Sequence, residues 1–141
     1  MKKLTEAALA ARKFAHAPYS QVQVGAAVQM SDGRVFTGCN VENSSYGGTV
    51  CAERVSIFKA VSEGSTKIVG LAVATDASPP WPPCGFCRQV VAEFAPPELP
   101  IHAVSLDGKI VSYRLADLLP HAFTPQAMLR ARKKRRTKSA K

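Results

Sequence analysis

The chain has 141 residues, 46% of them hydrophobic and 21% charged, with a formal net charge of +9 at pH 7. That length fits one domain with a real hydrophobic core and leaves no room for a second; no apolar run approaches the roughly 20 residues needed to cross a bilayer. The charge is local: eight of the nineteen Lys and Arg lie in residues 130–141, RARKKRRTKSAK, so the remaining 129 residues are nearly neutral, with eleven basic against ten acidic side chains.

Leu4, Ala7, Ala8, Ala11, Phe14 and Ala15 recur at helical spacing, and Pro18 ends that helix. Glu6, Arg12 and Lys13 interrupt what would have to be a continuous apolar signal core. We therefore expect an amphipathic first helix in a cytoplasmic protein whose four cysteines stay reduced. VQVGAAVQM and RVFTGCNV flank Ser31-Asp32-Gly33 and read as a hairpin, because Asp-Gly favours the primed turns that match strand twist. From Cys51 to Glu63 apolar residues return at helical intervals, with Gly64 as the stop. KIVGLAVAT is a buried strand by its β-branched content. The proline-rich loop DASPPWPP, residues 76–83, delivers Cys84-Gly85-Phe86-Cys87 to the start of a helix that runs to Phe94. LPIHAVSL and KIVSYRL flank a second Asp-Gly turn at Asp107-Gly108, and helical stretches from Leu115 to Leu119 and Thr124 to Arg130 lead into the basic tail. Helices and strands alternating in this way argue a layered α/β domain with one mixed sheet.

Three cysteines suggest a metal. Zinc binds thiolates at about 2.3 Å, and a catalytic site keeps three protein ligands with the fourth position open for water. Cys51, Cys84 and Cys87 supply three. The i, i+3 spacing of Cys84 and Cys87 puts both sulfurs on one side of a first helical turn, and Cys51 opens the preceding helix. Helix N-termini favour thiolate over thiol. Three thiolates on a dication leave a net negative charge, which Arg54 and Arg88, each directly after a cysteine-bearing segment, are placed to offset. Glu53 turns a metal site into a reaction site, because a carboxylate beside activated water can take its proton and deliver it elsewhere. With Cys39 as a fourth thiolate the site would instead be a closed, inert knot; Glu53's placement argues against that, and Cys39 reads as a small residue packed at a strand end. His16, His102 and His121 lie in no ligand spacing.

Together these residues resemble the small zinc-dependent cytidine deaminases that act on free nucleosides. The match runs from about Ala15 to Phe123 through APYS, VGAAV, DGRVFTGCNVENSSYG, TVCAER, AVSEG, PCGFCRQV and LLPHAF. The resemblance implies a three-layer α/β/α fold with a central mixed five-stranded sheet, residues 1–129 as the catalytic domain and 130–141 as a flexible tail. It further implies one Zn2+ per subunit on Cys51, Cys84 and Cys87, Glu53 as the proton shuttle, and hydrolysis of cytidine and 2′-deoxycytidine to uridine and 2′-deoxyuridine. Asn40 and Glu42 match ribose contacts, and the backbone at Ala52 and near Pro82 matches groups that hold the base edge. Phe123 matches an aromatic that reaches the base from a neighbouring subunit, which implies a homotetramer. Tyr19 and Tyr46 match positions near its contacts.

The chain departs from the pattern at Val22, where family members carry a Phe that stacks on the pyrimidine. Losing such a ring removes on the order of 1 to 3 kcal/mol of binding and leaves space, so we expect tolerance of substituents on N4 or C5 of the cytosine. Phe86, between the two cysteines where a small residue is usual, either refills the pocket or packs outward. An alternative from another class is an RNA-associated zinc-domain protein whose basic run, 130–141, contacts phosphates. Against it, the body offers no basic groove and no aromatic-rich single-strand surface, and a solubilising tail is the simpler expectation.

Overall fold

The computed structural model describes residues 1–129; the basic run 130–141, with the tail and RNA-contact expectations that fall on it, lies outside the described residues. The elements are α1 (Lys2–Arg12), β1 (Gly25–Met30), β2 (Val35–Cys39), a 3-10 turn (Tyr46–Gly48), α2 (Ala52–Ser62), β3 (Ile68–Thr75), α3 (Gly85–Phe94), β4 (Pro100–Ser105), β5 (Ile110–Arg114) and α4 (Leu115–Leu118). Residues 125–129 are again helical. The five strands form one sheet in the order β2-β1-β3-β4-β5, antiparallel throughout except for the parallel pair β3 and β4, whose connection carries α3. This is the mixed five-stranded sheet expected.

Alternation along the strands sorts the core into two faces. Val28, Leu71, Val73 and Ile101 point to the side of α2 and α3 and meet Ile57 and Val91, while Ala27, Ala72, Ala74 and Val104 meet Leu4 and Ala8 of α1. The three layers follow: α1, the sheet, then α2 with α3. Because β3 is covered on both faces, its sequence is an almost unbroken apolar run. Each fully buried aliphatic side chain contributes about 1.5–3 kcal/mol. The alanine-surfaced face lets α1 approach so closely that a Cβ on Gly25 would overlap the Ala8 carbonyl. Gly38 does the same on the other face, where a Cβ would lie 2.6 Å from the Ala52 carbonyl oxygen and from the Ser56 nitrogen. The first turn of α2 is thereby seated directly on β2.

Three expectations are corrected. The first strand begins at Gly25 and not at Val22, because the Asn40 side chain takes the polar groups a ladder would have used: its Nδ2 donates to the Val22 carbonyl (2.9 Å) and its Oδ1 accepts from the Val24 N–H (2.8 Å). Both hairpins turn on three residues instead of a two-residue primed turn. Gly33 N–H donates to the Met30 carbonyl and Met30 N–H to the Arg34 carbonyl; Ser105 and Lys109 repeat the pattern around Gly108, with Gly33 and Gly108 at φ +88° and +82°. The first helix ends at Arg12, leaving Phe14 beyond it and exposed. Among the described residues no helix is long and apolar enough to cross a membrane.

Candidate active site

Two helix starts converge. Cys51 is the N-cap of α2 and Cys84 the N-cap of α3, each with extended backbone, and Cys87 sits in the first turn of α3. The three sulfurs lie within 4.8 Å of one another, and those of Cys51 and Cys84 are 3.8 Å apart. Two sulfurs each about 2.3 Å from one tetrahedral centre stand about 3.8 Å apart, so the spacing fits zinc. The unpaired N–H groups of both helix N-termini add positive potential at that point. Cys51, Cys84 and Cys87 are positioned to bind one metal ion. Cys39 is not with them: its sulfur donates to the Phe14 carbonyl (3.2 Å), so no four-thiolate knot forms.

The three sulfurs hold their protons unequally. The hydrogen bond from the Cys87 thiol, with help from Arg54, pulls Cys51 down to about 5, and the same bond pushes Cys87 up. Glu53, next to Cys51 on the first turn of α2, is 3% exposed. Burial is foremost in pushing its carboxyl up to about 7, and the negative Cys51 adds to it. A carboxyl in that range passes a proton in either direction near neutral pH.

Arg54 and Arg88 are not equivalent. Arg54 Nη2 lies 3.7 Å from the Cys51 sulfur and donates to the Thr49 carbonyl (3.1 Å). Arg88 reaches carbonyls: Nε donates to Pro83 (2.6 Å) and Nη1 to Leu118 (2.9 Å), clamping the segment before Cys84 to the end of α4. Of the two, the hydrogen bonds put Arg54 on a sulfur and Arg88 on backbone. Phe86 is 76% exposed with the Arg54 guanidinium 5.7 Å from its ring centroid, so it packs outward and does not refill the pocket.

Glu53, Cys51 and Cys84 line a cavity of about 220 Å³ together with Asn40, Val22 and Pro82. Asn40 spends one donor and one acceptor on the backbone of residues 22–24 and keeps one of each. Glu42 does not line the cavity; its carboxylate accepts from the Tyr19 and Ser20 N–H groups (2.9 and 3.2 Å) and from the Ser20 hydroxyl, which holds it below the ordinary range and pins the turn before Val22. Ala52 is fully buried at the start of α2. Phe123 is 63% exposed and does not line this cavity. Tyr19 and Tyr46 meet edge-to-face at 5.7 Å on the surface. Sequence reasoning missed Ser20, Thr75 and Trp81 in the cavity wall. For Trp81 a signal existed: it is the one Trp in the chain, five residues before Phe86 in the proline-rich loop.

Comparison with known proteins agrees. A family model described as the cytidine and deoxycytidylate deaminase zinc-binding region matches residues 1–103. The chain is 49% identical over 125 residues to a cytidine deaminase of Halalkalibacterium halodurans, covering 89% of this chain and 95% of that one, and 45% identical over 126 residues to that of Sporosarcina psychrophila, covering 89% and 93%. The crystal structure of cytidine deaminase from Burkholderia pseudomallei is similar with a TM-score of 0.83 at 45% identity, covering 86% of this chain and 98% of that one.

Proposed function

The chain belongs to the cytidine and deoxycytidylate deaminase zinc-binding family, and on that premise we propose that residues 1–129 form a zinc-dependent hydrolase. It replaces the C4 amino group of cytidine and 2′-deoxycytidine with oxygen, consuming one water and releasing ammonia. The observation that carries this is a cluster of three sulfurs, two of whose cysteines line a cavity together with the buried carboxyl of Glu53. Cys51, Cys84 and Cys87 would hold a zinc ion, which would supply an activated water at the cavity. The chain does the rest. Glu53 takes one proton from the attacking water and gives it to the ring nitrogen, then takes the proton of the hydroxyl left on the ring carbon and gives it to the departing amine, while Arg54 moderates the negative charge of the three thiolates. The free backbone N–H at Ala52 and the carbonyls around Pro82 hold the base edge. The spare donor and acceptor of Asn40 take a sugar hydroxyl, with Glu42 beside it on the turn it pins.

We extend the proposal to assembly and location. Phe123, exposed and absent from its own cavity, completes the cavity of a neighbouring copy in a homotetramer; Tyr19 and Tyr46, also exposed, contribute to the same contacts. The cytoplasm suits an enzyme whose thiols must stay reduced.

Val22 lines the cavity with an aliphatic surface, and from this we infer turnover of cytosine nucleosides substituted on N4 or C5. Zinc-loaded protein should lower the ultraviolet absorbance of cytidine with stoichiometric ammonia; a flat trace contradicts the proposal. Val22→Phe should depress turnover of an N4-acyl cytidine relative to cytidine. An unchanged ranking removes the extension and leaves the deaminase.

A further inference from the structure

We propose that Trp81 is the stacking wall that the chain supplies to its own cavity, a residue that holds a flat face of the pyrimidine and so helps set how tightly a nucleoside binds. The inference rests on the deaminase reading above.

Elimination is the first support. Trp81 is the one aromatic side chain among the residues lining the cavity. Val22 offers only an aliphatic surface, Phe86 is turned outward onto Arg54, and Phe123 lies outside the cavity. Within one chain, Trp81 is therefore the one ring that a heteroaromatic substrate meets among sulfurs, hydroxyls, a carboxyl, an amide and short aliphatic chains, and the Phe123 proposed to enter from a neighbouring copy would add a second aromatic without replacing it.

Anchoring is the second. An exposed tryptophan on a free loop would be an ordinary surface feature, but the 76–83 loop is held at several points. The Trp81 N–H donates to the Thr75 hydroxyl (3.3 Å), itself buried at the end of β3 and part of the cavity wall. Ser78 Oγ donates to Asp107 (3.0 Å) in the β4–β5 turn. Arg12 Nε donates to Asp76 (2.6 Å) and to the Gln23 carbonyl (3.1 Å), so the loop carrying Trp81 and the segment carrying Val22 are tied through one guanidinium. Both are thereby set as a unit relative to Glu53.

Exposure is the third. Trp81 lines this cavity of modest size and is 51% exposed, so much of its surface is left to cover. A base stacking on that ring covers it and gains contact area at little conformational cost, since the indole has two rotatable side-chain bonds and the backbone is already fixed. Stacking of this kind tolerates substituents on the edge of the base, because only the ring face is engaged.

The test uses the full zinc-loaded protein. Stacking is present in the ground state and in the transition state alike, so its loss raises KM and leaves kcat near its original value. Trp81→Ala should raise KM for cytidine by between about fivefold and about 150-fold, the range for one base on one aromatic ring. Trp81→Phe should keep most of the affinity, and both variants should hold one zinc per chain. A second readout is direct: with a single Trp in the sequence, uridine should quench the intrinsic fluorescence saturably, at concentrations that match its inhibition of turnover. An unchanged KM in zinc-loaded Trp81→Ala, or uridine that inhibits without altering the emission, overturns the assignment while leaving the deaminase intact. Absence of cytidine turnover in the unaltered protein overturns the deaminase reading and this one with it.

Discussion

Around the three sulfurs the functional side chains ride on the first turns of two helices, whereas the wall carrying Val22 and Trp81 is irregular backbone held by side-chain bonds from Asn40, Asp76, Arg12 and Thr75. The helix starts are fixed by packing that admits no substitute, such as the seat at Gly38. The wall depends on a handful of exchangeable polar contacts. Chemistry is therefore expensive to alter in this fold and substrate preference cheap, and changes in the two regions should differ in kind as well as size.

The largest effect should come from the sulfurs. Cys87→Ala removes a fully buried ligand, and turnover should fall by well over the roughly 100-fold that losing a mere partner of a metal ligand costs. Bound zinc, measured by metal analysis, should drop below one per chain, and a chelator acting on the unaltered protein should reproduce the loss until zinc is restored. Near-normal turnover in either case breaks the comparison at its stronger end.

Gly38→Ala tests whether packing sets the geometry. The added methyl meets backbone atoms of α2 at 2.6 Å, so the helix carrying Cys51 and Glu53 must shift. Overpacking of this kind costs about 1–3 kcal/mol, and displacing catalytic groups by about 1 Å costs about 100-fold in rate. Thermal unfolding and kcat should fall together; a lower melting temperature with intact kcat would show that the seat serves stability alone.

How much of this was legible in the sequence follows the same division. Cys51, Cys84 and Cys87 could be placed because helix starts and i, i+3 spacing are local rules that survive folding, and Glu53 followed from its position two residues after Cys51. The extent of the first strand could not, since it depends on an Asn40 side chain reaching back sixteen to eighteen residues. Arg54 and Arg88 look alike beside their cysteines, and only the carbonyls of Pro83 and Leu118, brought near by the tertiary fold, separate them. Trp81 in its proline-rich loop gave no hint of Thr75 or Asp107 as anchors.

The smallest effect should appear far from both regions, in the first hairpin. Asp32 accepts from Ser65 Oγ (2.7 Å) and from Arg34, and these bonds hold its carboxyl down at about 2. A lowered folded-state value means its stabilisation is complete above about 4, the ordinary aspartate range, and is lost as pH falls through about 2. Asp32→Asn should melt slightly below the unaltered protein at neutral pH, with the gap closing between about pH 4 and 2, and should deaminate cytidine as before. A gap independent of pH would remove the carboxylate as its source.

The most direct measurement is made on Glu53. Glu53→Gln keeps the shape and burial of the side chain but not its proton transfer, so zinc should remain at one per chain while cytidine turnover falls by about 100- to 10,000-fold or more, the contribution of a positioned acid–base group. Zinc-loaded Glu53→Gln that deaminates cytidine within about tenfold of the unaltered rate would contradict the proton-shuttle role on which the proposed mechanism stands.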